Sequence, residues 1–188
     1  MPLYNHNSYS NAVYNFTPPT RALIGESFPV LHIASNNAIM PTAGRLEFIR
    51  IRVPVSSSVT NITGFISTAG ATLTAGQCFA SLFTGAGVLV GTTADQSGAW
   101  VSGGTKTMAL ASGPFSITAG DYYVGMWYNG TTAPTWRVGT NSNTTLTNLG
   151  VAAPNLLAGT ADTGLTTTPP SPMGAQTGGA TLWWMALS

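Results

Sequence analysis

The sequence contains three short segments of one design, in which Thr-Ala-Gly is followed by one polar residue and then by an apolar run. These segments are residues 42–49, 74–83 and 118–127. The glycine gives the backbone the freedom that a tight turn requires, and the aromatic and apolar residues after it are typical of a strand that is buried on at least one face. Repetition of this turn-and-strand unit predicts an antiparallel sandwich made of hairpins.

The rest of the chain has the same character, with short apolar runs between turn residues and no sustained helical period. We predict an all-β fold, a jelly-roll-like antiparallel β-sandwich of about eight strands over residues 21–188. The segments 77–83 and 88–91, joined by the turn at 85–87, predict a hairpin. The segment 45–53 changes its alternation at Ile49, which predicts a bulge or a bend there. The pair Asn129-Gly130 is a type I′ turn signal, so residues 136–139 are a candidate return strand. The stretch 140–180 is expected to lie ordered along one edge, and 181–187 to form a central or interface strand.

Residues 1–20 differ from the later chain and are expected to form an extended N-terminal arm. Tyrosine recurs there every five residues, a spacing that fits neither a helix nor a strand, and Thr17-Pro-Pro-Thr20 closes the segment. Tyrosine combines apolar area with a hydrogen-bonding tip, so such an arm gains order by lying on another surface. A frayed tail is the alternative. The candidate partner-binding residues of the arm are Tyr4, Tyr9, Tyr14 and Phe16.

Only 6% of the 188 residues are charged and the formal net charge is +1. Such a chain lacks the basic surface that nucleic acid or anionic lipid requires, so neither is an expected partner. No apolar run approaches the roughly 20 residues that span a membrane, and the first residues do not resemble a signal peptide. A polar but nearly uncharged surface suits a subunit of a larger assembly or a rigid extracellular module.

The sequence predicts no catalytic, cofactor or metal site. Two histidines and one cysteine match no zinc pattern, and Cys78 stands in a strand-like run that favours a buried, inert thiol. The acidic residues are scattered, and Asx turns explain Asp95, Asp121 and Asp162 without calcium. We therefore expect a protein that is not an enzyme.

The aromatic residues of the later strands are the better functional lead. Trp127, Tyr128 and Trp136 are candidates for an interface with a neighbouring subunit or for stacking on a glycan. Because one face of each strand must be core, interface contact is the favoured interpretation and glycan binding the alternative.

Several segments resemble domains of tail and other virion structural proteins of phages that infect actinobacteria. They include 50–55, 68–77, 89–96, 105–110 and 117–124, and later 162–169 with Trp183-Trp184. The resemblance covers about residues 40–188, leaves the arm unmatched, and carries no catalytic signature.

The resemblance implies a virion protein that is assembled in the host cytoplasm, where disulfides are not expected. The expected role is capsid decoration or a head-fibre subunit, anchored by the arm to the major capsid protein or to a neighbour. A homotrimer is the expected oligomer. The alternative is a minor tail or receptor-binding module that binds host-surface glycans.

Overall fold

The computed structural model describes residues 23–33, 36–139 and 144–188. The strands are β1 (Gly25–Glu26), β2 (Asn37–Ile39), β3 (Leu46–Val53), β4 (Ser57–Val59), β5 (Asn61–Thr68), β6 (Ala71–Leu73), β7 (Phe79–Thr84), β8 (Leu89–Thr92), β9 (Gly104–Ala109), β10 (Phe115–Ile117), β11 (Gly120–Trp127), β12 (Gly130–Thr132), β13 (Thr135–Arg137), β14 (Ala158–Ala161), β15 (Thr177–Gly178) and β16 (Met185–Leu187). Helical structure in these ranges is one 3₁₀ turn at Val30–His32 and one α-helical turn, α1, at Thr144–Thr147.

The long strands form two six-stranded antiparallel sheets. Sheet A has the order β1-β16-β5-β13-β2, with β9 also paired to β5, and sheet B has the order β15-β14-β3-β11-β7-β8. Two further pairs, β4 with β10 and β6 with β12, form separate two-stranded sheets. The all-β sandwich is thus confirmed. Seven strands of the described ranges have four or more residues, close to the predicted eight, and the other strands are short additions.

The repeated turn-and-strand units lie where the sequence predicts. Gly44 and Gly76 have positive φ angles of 69° and 77°, which glycine adopts without strain, and Gly120 opens β11. The three strands that come after these turns are β3, β7 and β11, and they are adjacent in sheet B. The hairpin of β7 and β8 and the central place of β16 between β1 and β5 are also as predicted.

Strand β3 corrects one prediction. Its pairing with β11 runs without a register shift from Val53 to Glu47, so Ile49 has no bulge. The apolar residues change phase because both faces of the strand are buried. Ile49, Ile51 and Val53 belong to the core between the two sheets, whereas Leu46 and Phe48 belong to a second core. A strand that is buried on both faces has no need of alternation.

The second core lies on the outer face of sheet B. Its members from the sheet are Leu46, Phe48, Phe83, Tyr123, Trp127 and Ala161, and those from the rest of the later chain are Leu156 and Met173. We call residues 144–178 the cover segment. The prediction of an ordered edge is right for β14 and β15, which extend the sheet beside β3. It is incomplete for the rest of the segment, which packs over the face.

The chain does not return as a hairpin after Asn129-Gly130. Strand β12 pairs with β6, and β13 then pairs with β5 and β2 in sheet A. The predicted return strand therefore exists at Trp136, but it belongs to the opposite sheet and does not pair with β11. Because of this crossing, the outer face of sheet A combines side chains from β5, β9, β13 and β16.

Candidate functional site

The three aromatic residues that the sequence proposed for contacts are inside the protein. Trp127 and Trp136 are fully buried and Tyr128 is 6% exposed. The Nε1 of Trp127 donates to the carbonyl of Thr166 at 3.0 Å, and the Trp136 ring stands edge-on to Trp100 with centroids 5.2 Å apart. All three side chains pack inside the two cores, so the prediction that these rings contact a sugar or a neighbour is wrong for this fold.

The four arm residues proposed for partner binding, Tyr4, Tyr9, Tyr14 and Phe16, lie outside the described residues. Their role remains a prediction from the sequence. The described chain begins at Leu23, close to the end of the arm.

All five acidic side chains accept structural hydrogen bonds. The carboxylates of Glu26, Asp95 and Asp162 accept backbone N–H groups, at 3.2, 3.1 and 2.8 Å respectively. Asp121 pairs with Arg52 at 3.2 Å on the surface, and Glu47 accepts from its own arginine neighbour on β3. Each acid thus has a local role in holding a turn or a strand.

Glu47 is the buried member of these acids, with 4% of its surface exposed. Its Oε1 accepts from Nε and Nη2 of Arg45 at 3.0 and 2.8 Å. Burial raises the pKa of Glu47, and the hydrogen bond and charge of Arg45 offset only part of that rise. Glu47 therefore lies inside the protein, with Arg45 as its hydrogen-bond partner.

Cys78 and Asp95 form a structural pair at the start of β7. Asp95 accepts the N–H groups of Cys78 and Ser97 and the hydroxyl of Ser97. Burial raises the pKa of Asp95, but these hydrogen bonds outweigh it and the net pKa is lowered. Burial raises the pKa of Cys78 to about 11, so the thiol is protonated at neutral pH. A buried, protonated thiol is a poor nucleophile.

An open groove of about 590 Å³ lies on the outer face of sheet A. We call it the groove. Its floor comes from alternation along β5, where Ile62 and Ile66 are buried in the core while Thr63 and Phe65 lie on the other face, partly exposed. Thr107 of β9 contributes to the same floor. Its volume is within the range of ligand-binding clefts.

The walls of the groove are largely apolar. One wall consists of Leu23, Val30 and Ile33, from the segment that comes after the arm, and the lining also includes Trp184, which directly precedes β16. Leu31, which follows Val30 of that wall, is 91% exposed.

Among the residues that line the groove, Arg137 supplies a cation. Its guanidinium carbon lies 5.8 Å from the centre of the Phe65 ring, within the range of a cation–π contact. Trp184 is 7% exposed, and its Nε1 has no hydrogen-bond partner among the described residues. The groove therefore offers aromatic and aliphatic surface, threonine side chains and a guanidinium, which suits an uncharged ligand with rings.

A second cavity of about 470 Å³ lies near β3, with His32, Ile49 and Arg50 in its lining. The Nη1 of Arg50 donates to the Asn155 carbonyl at 3.2 Å. Arg50 therefore fastens the cover segment to β3.

Among the described residues there is no cluster of three or more histidine, cysteine, aspartate or glutamate side chains that could hold a metal ion. The described ranges also contain no helix that is long and apolar enough to cross a membrane.

A scan against known protein families and searches of curated proteins and of solved structures found no match.

Sequence reasoning missed the groove, although part of its signal is visible. The alternation in 61–68 places Phe65 on the face opposite to Ile62 and Ile66, so a solvent-side aromatic ring was open to prediction. The joining of β5, β9, β13 and β16 into one surface has no signal in the sequence, because it depends on which strands pair.

Proposed function

We propose that the chain is a non-enzymatic structural subunit of a bacteriophage particle, acting on the particle surface as a capsid decoration or head-fibre subunit. Its arm, residues 1–20, anchors it to the major capsid protein or to a neighbouring subunit, in a homotrimer. Assembly takes place in the host cytoplasm. The resemblance of residues 40–188 to virion structural domains motivates this proposal.

The observation that carries the proposal is the uncovered groove, whose lining includes Leu23, three positions after the predicted arm in the sequence. The outer face of sheet B is closed by the chain's own cover segment, whereas the outer face of sheet A leaves Phe65 and the wall of Leu23, Val30 and Ile33 open. An open apolar surface, together with a tyrosine-rich N-terminal segment, favours a protein that functions by contact with other chains. The structural hydrogen bonds of all five acids support the same view.

The test is the content of this subunit in purified particles. Deleting residues 1–20 is expected to abolish its incorporation, while the circular dichroism spectrum of the isolated protein stays near that of the intact chain. A matched control changes Tyr4, Tyr9 and Tyr14 to phenylalanine and Phe16 to tyrosine, which keeps the rings and is expected to keep incorporation. Unchanged particle content after the deletion would contradict the anchoring role.

A second candidate function is a minor tail or receptor-binding module that binds host-surface glycans. The observation in its favour is the partly exposed Phe65 ring beside Arg137, since aromatic faces stack on sugar rings. The rings proposed from the sequence cannot serve, because Trp127, Tyr128 and Trp136 are buried. A glycan array compares the intact protein with Phe65→Ser. Binding that is lost in this variant supports the module, and no binding above background rejects it.

A further inference from the structure

We propose that the groove of one chain binds the N-terminal arm of a second copy of this chain. The inference concerns the protein by itself and does not depend on the proposed place in a virion. It identifies an interface between identical subunits in which each chain donates one arm and accepts another.

The first argument is chemical complementarity. The arm carries four aromatic residues and no acidic residue, and the groove is lined by Phe65, Trp184 and aliphatic side chains with the guanidinium of Arg137. Tyrosine rings pack on such a lining and can stack on an arginine, while their hydroxyls reach the threonines or water at the rim. A ligand with many charges would find few matching groups there.

The second argument is size. The groove has a volume of about 590 Å³, which leaves room for aromatic side chains of the arm. Because the groove is open, each ring would be buried only in part. Contacts outside the groove therefore complete the interface, since a stable interface buries about 800 Å² on each partner.

The third argument is the position of the arm in the sequence. Leu23, the first described residue, lines the groove, and the predicted arm ends at Thr20, three positions before it. The arm of a second copy is the proposed occupant, and the arm of the same chain is the alternative that the concentration dependence of association tests.

The exposed Leu31 agrees with this arrangement. It stands beside Val30 of the groove wall and is 91% exposed in the single chain. A neighbouring subunit whose arm enters the groove comes close to this position and can cover it.

Two full-length variants separate the donor from the acceptor function. The arm variant carries Tyr4→Ser, Tyr9→Ser, Tyr14→Ser and Phe16→Ser and keeps the groove. The groove variant carries Thr107→Trp. Thr107 is an exposed residue of β9 at the floor of the groove, so a tryptophan side chain there fills the groove. Tryptophan is also well tolerated in strands. Thr132→Trp, at an exposed position of β12 outside the groove, is the matched control.

Sedimentation velocity over a range of concentrations is the measurement, with circular dichroism to verify folding. We expect the unchanged protein and Thr132→Trp to associate, and each of the two variants to associate at least about ten-fold more weakly. A mixture of the arm variant and the groove variant should form a 1:1 dimer, because one supplies the open groove and the other the intact arm.

Three results would overturn the inference. The unchanged protein could be monomeric at every concentration, which would place the arm in its own groove or on another partner. The arm variant or Thr107→Trp could associate as strongly as the unchanged protein. The two variants could also remain monomers when mixed although both are folded.

Discussion

Phe48 provides the most direct test of the second core. Its side chain is fully buried on the outer face of sheet B, with its ring centre 5.4 Å from that of Tyr123. Truncation to alanine in a closed core costs about 3–5 kcal/mol, because both the transfer free energy and a residual cavity oppose it. For a domain of this size the melting temperature falls by about 2–4 °C per kcal/mol, so Phe48→Ala should lower it by roughly 6–20 °C.

Phe65→Ala is the matched control, since Phe65 also lies on the outer face of a central strand but in the open groove of sheet A. Because Phe65 is only partly buried, we expect Phe65→Ala to lower the free energy of unfolding by about 1 kcal/mol. Thermal and denaturant unfolding at one protein concentration measure both variants. Equal losses of stability for Phe48→Ala and Phe65→Ala would refute the reasoning, because they would mean that the cover segment does not seal the face of sheet B.

Three further predictions concern buried groups. Gly125→Ala should lower the free energy of unfolding in denaturant by about 1–3 kcal/mol, since a Cβ there would lie 2.8 Å from Leu46 Cδ1. Gly98→Ala, with open space around the glycine, should be near neutral, and equal effects of the two variants would contradict this packing. Alkylation of Cys78 at pH 8 should be about a hundred-fold slower in the folded protein than in urea, because burial raises its pKa to about 11, and equal rates would show an accessible thiolate. The raised pKa of Glu47 means that the folded state binds more protons than the unfolded state, so the contribution of Glu47 to stability declines as pH rises from about 4.5 through the folded pKa. The free energy of unfolding of Glu47→Gln should lack this decline, and parallel pH curves for the two proteins would reject the prediction.

The strands themselves were accessible from the sequence because their signals are local. Glycine-containing turns followed by apolar runs predict β3, β7 and β11, and the turn at 85–87 predicts the hairpin of β7 and β8. These signals depend on backbone freedom and side-chain shape within a few residues. The all-β class and most strand positions result from them.

The partners of the strands were less accessible because pairing is a long-range property. Asn129-Gly130 suggested a hairpin, yet β13 pairs in sheet A and not with β11. The change of phase at Ile49 suggested a bulge, yet it reflects burial of both faces of β3. Local patterns cannot show that residues far along the chain, such as Leu156 and Met173, cover a second face.

The candidate site shows the same division. The aromatic content, the low charge and the arm with Tyr4, Tyr9, Tyr14 and Phe16 could be read from the amino-acid order, because they are properties of composition and spacing. Burial of the rings of Trp127, Tyr128 and Trp136 in the cores could not, and neither could the open groove on sheet A. Exposure depends on which segments fold over which face, and in the tertiary structure the cover segment closes sheet B alone.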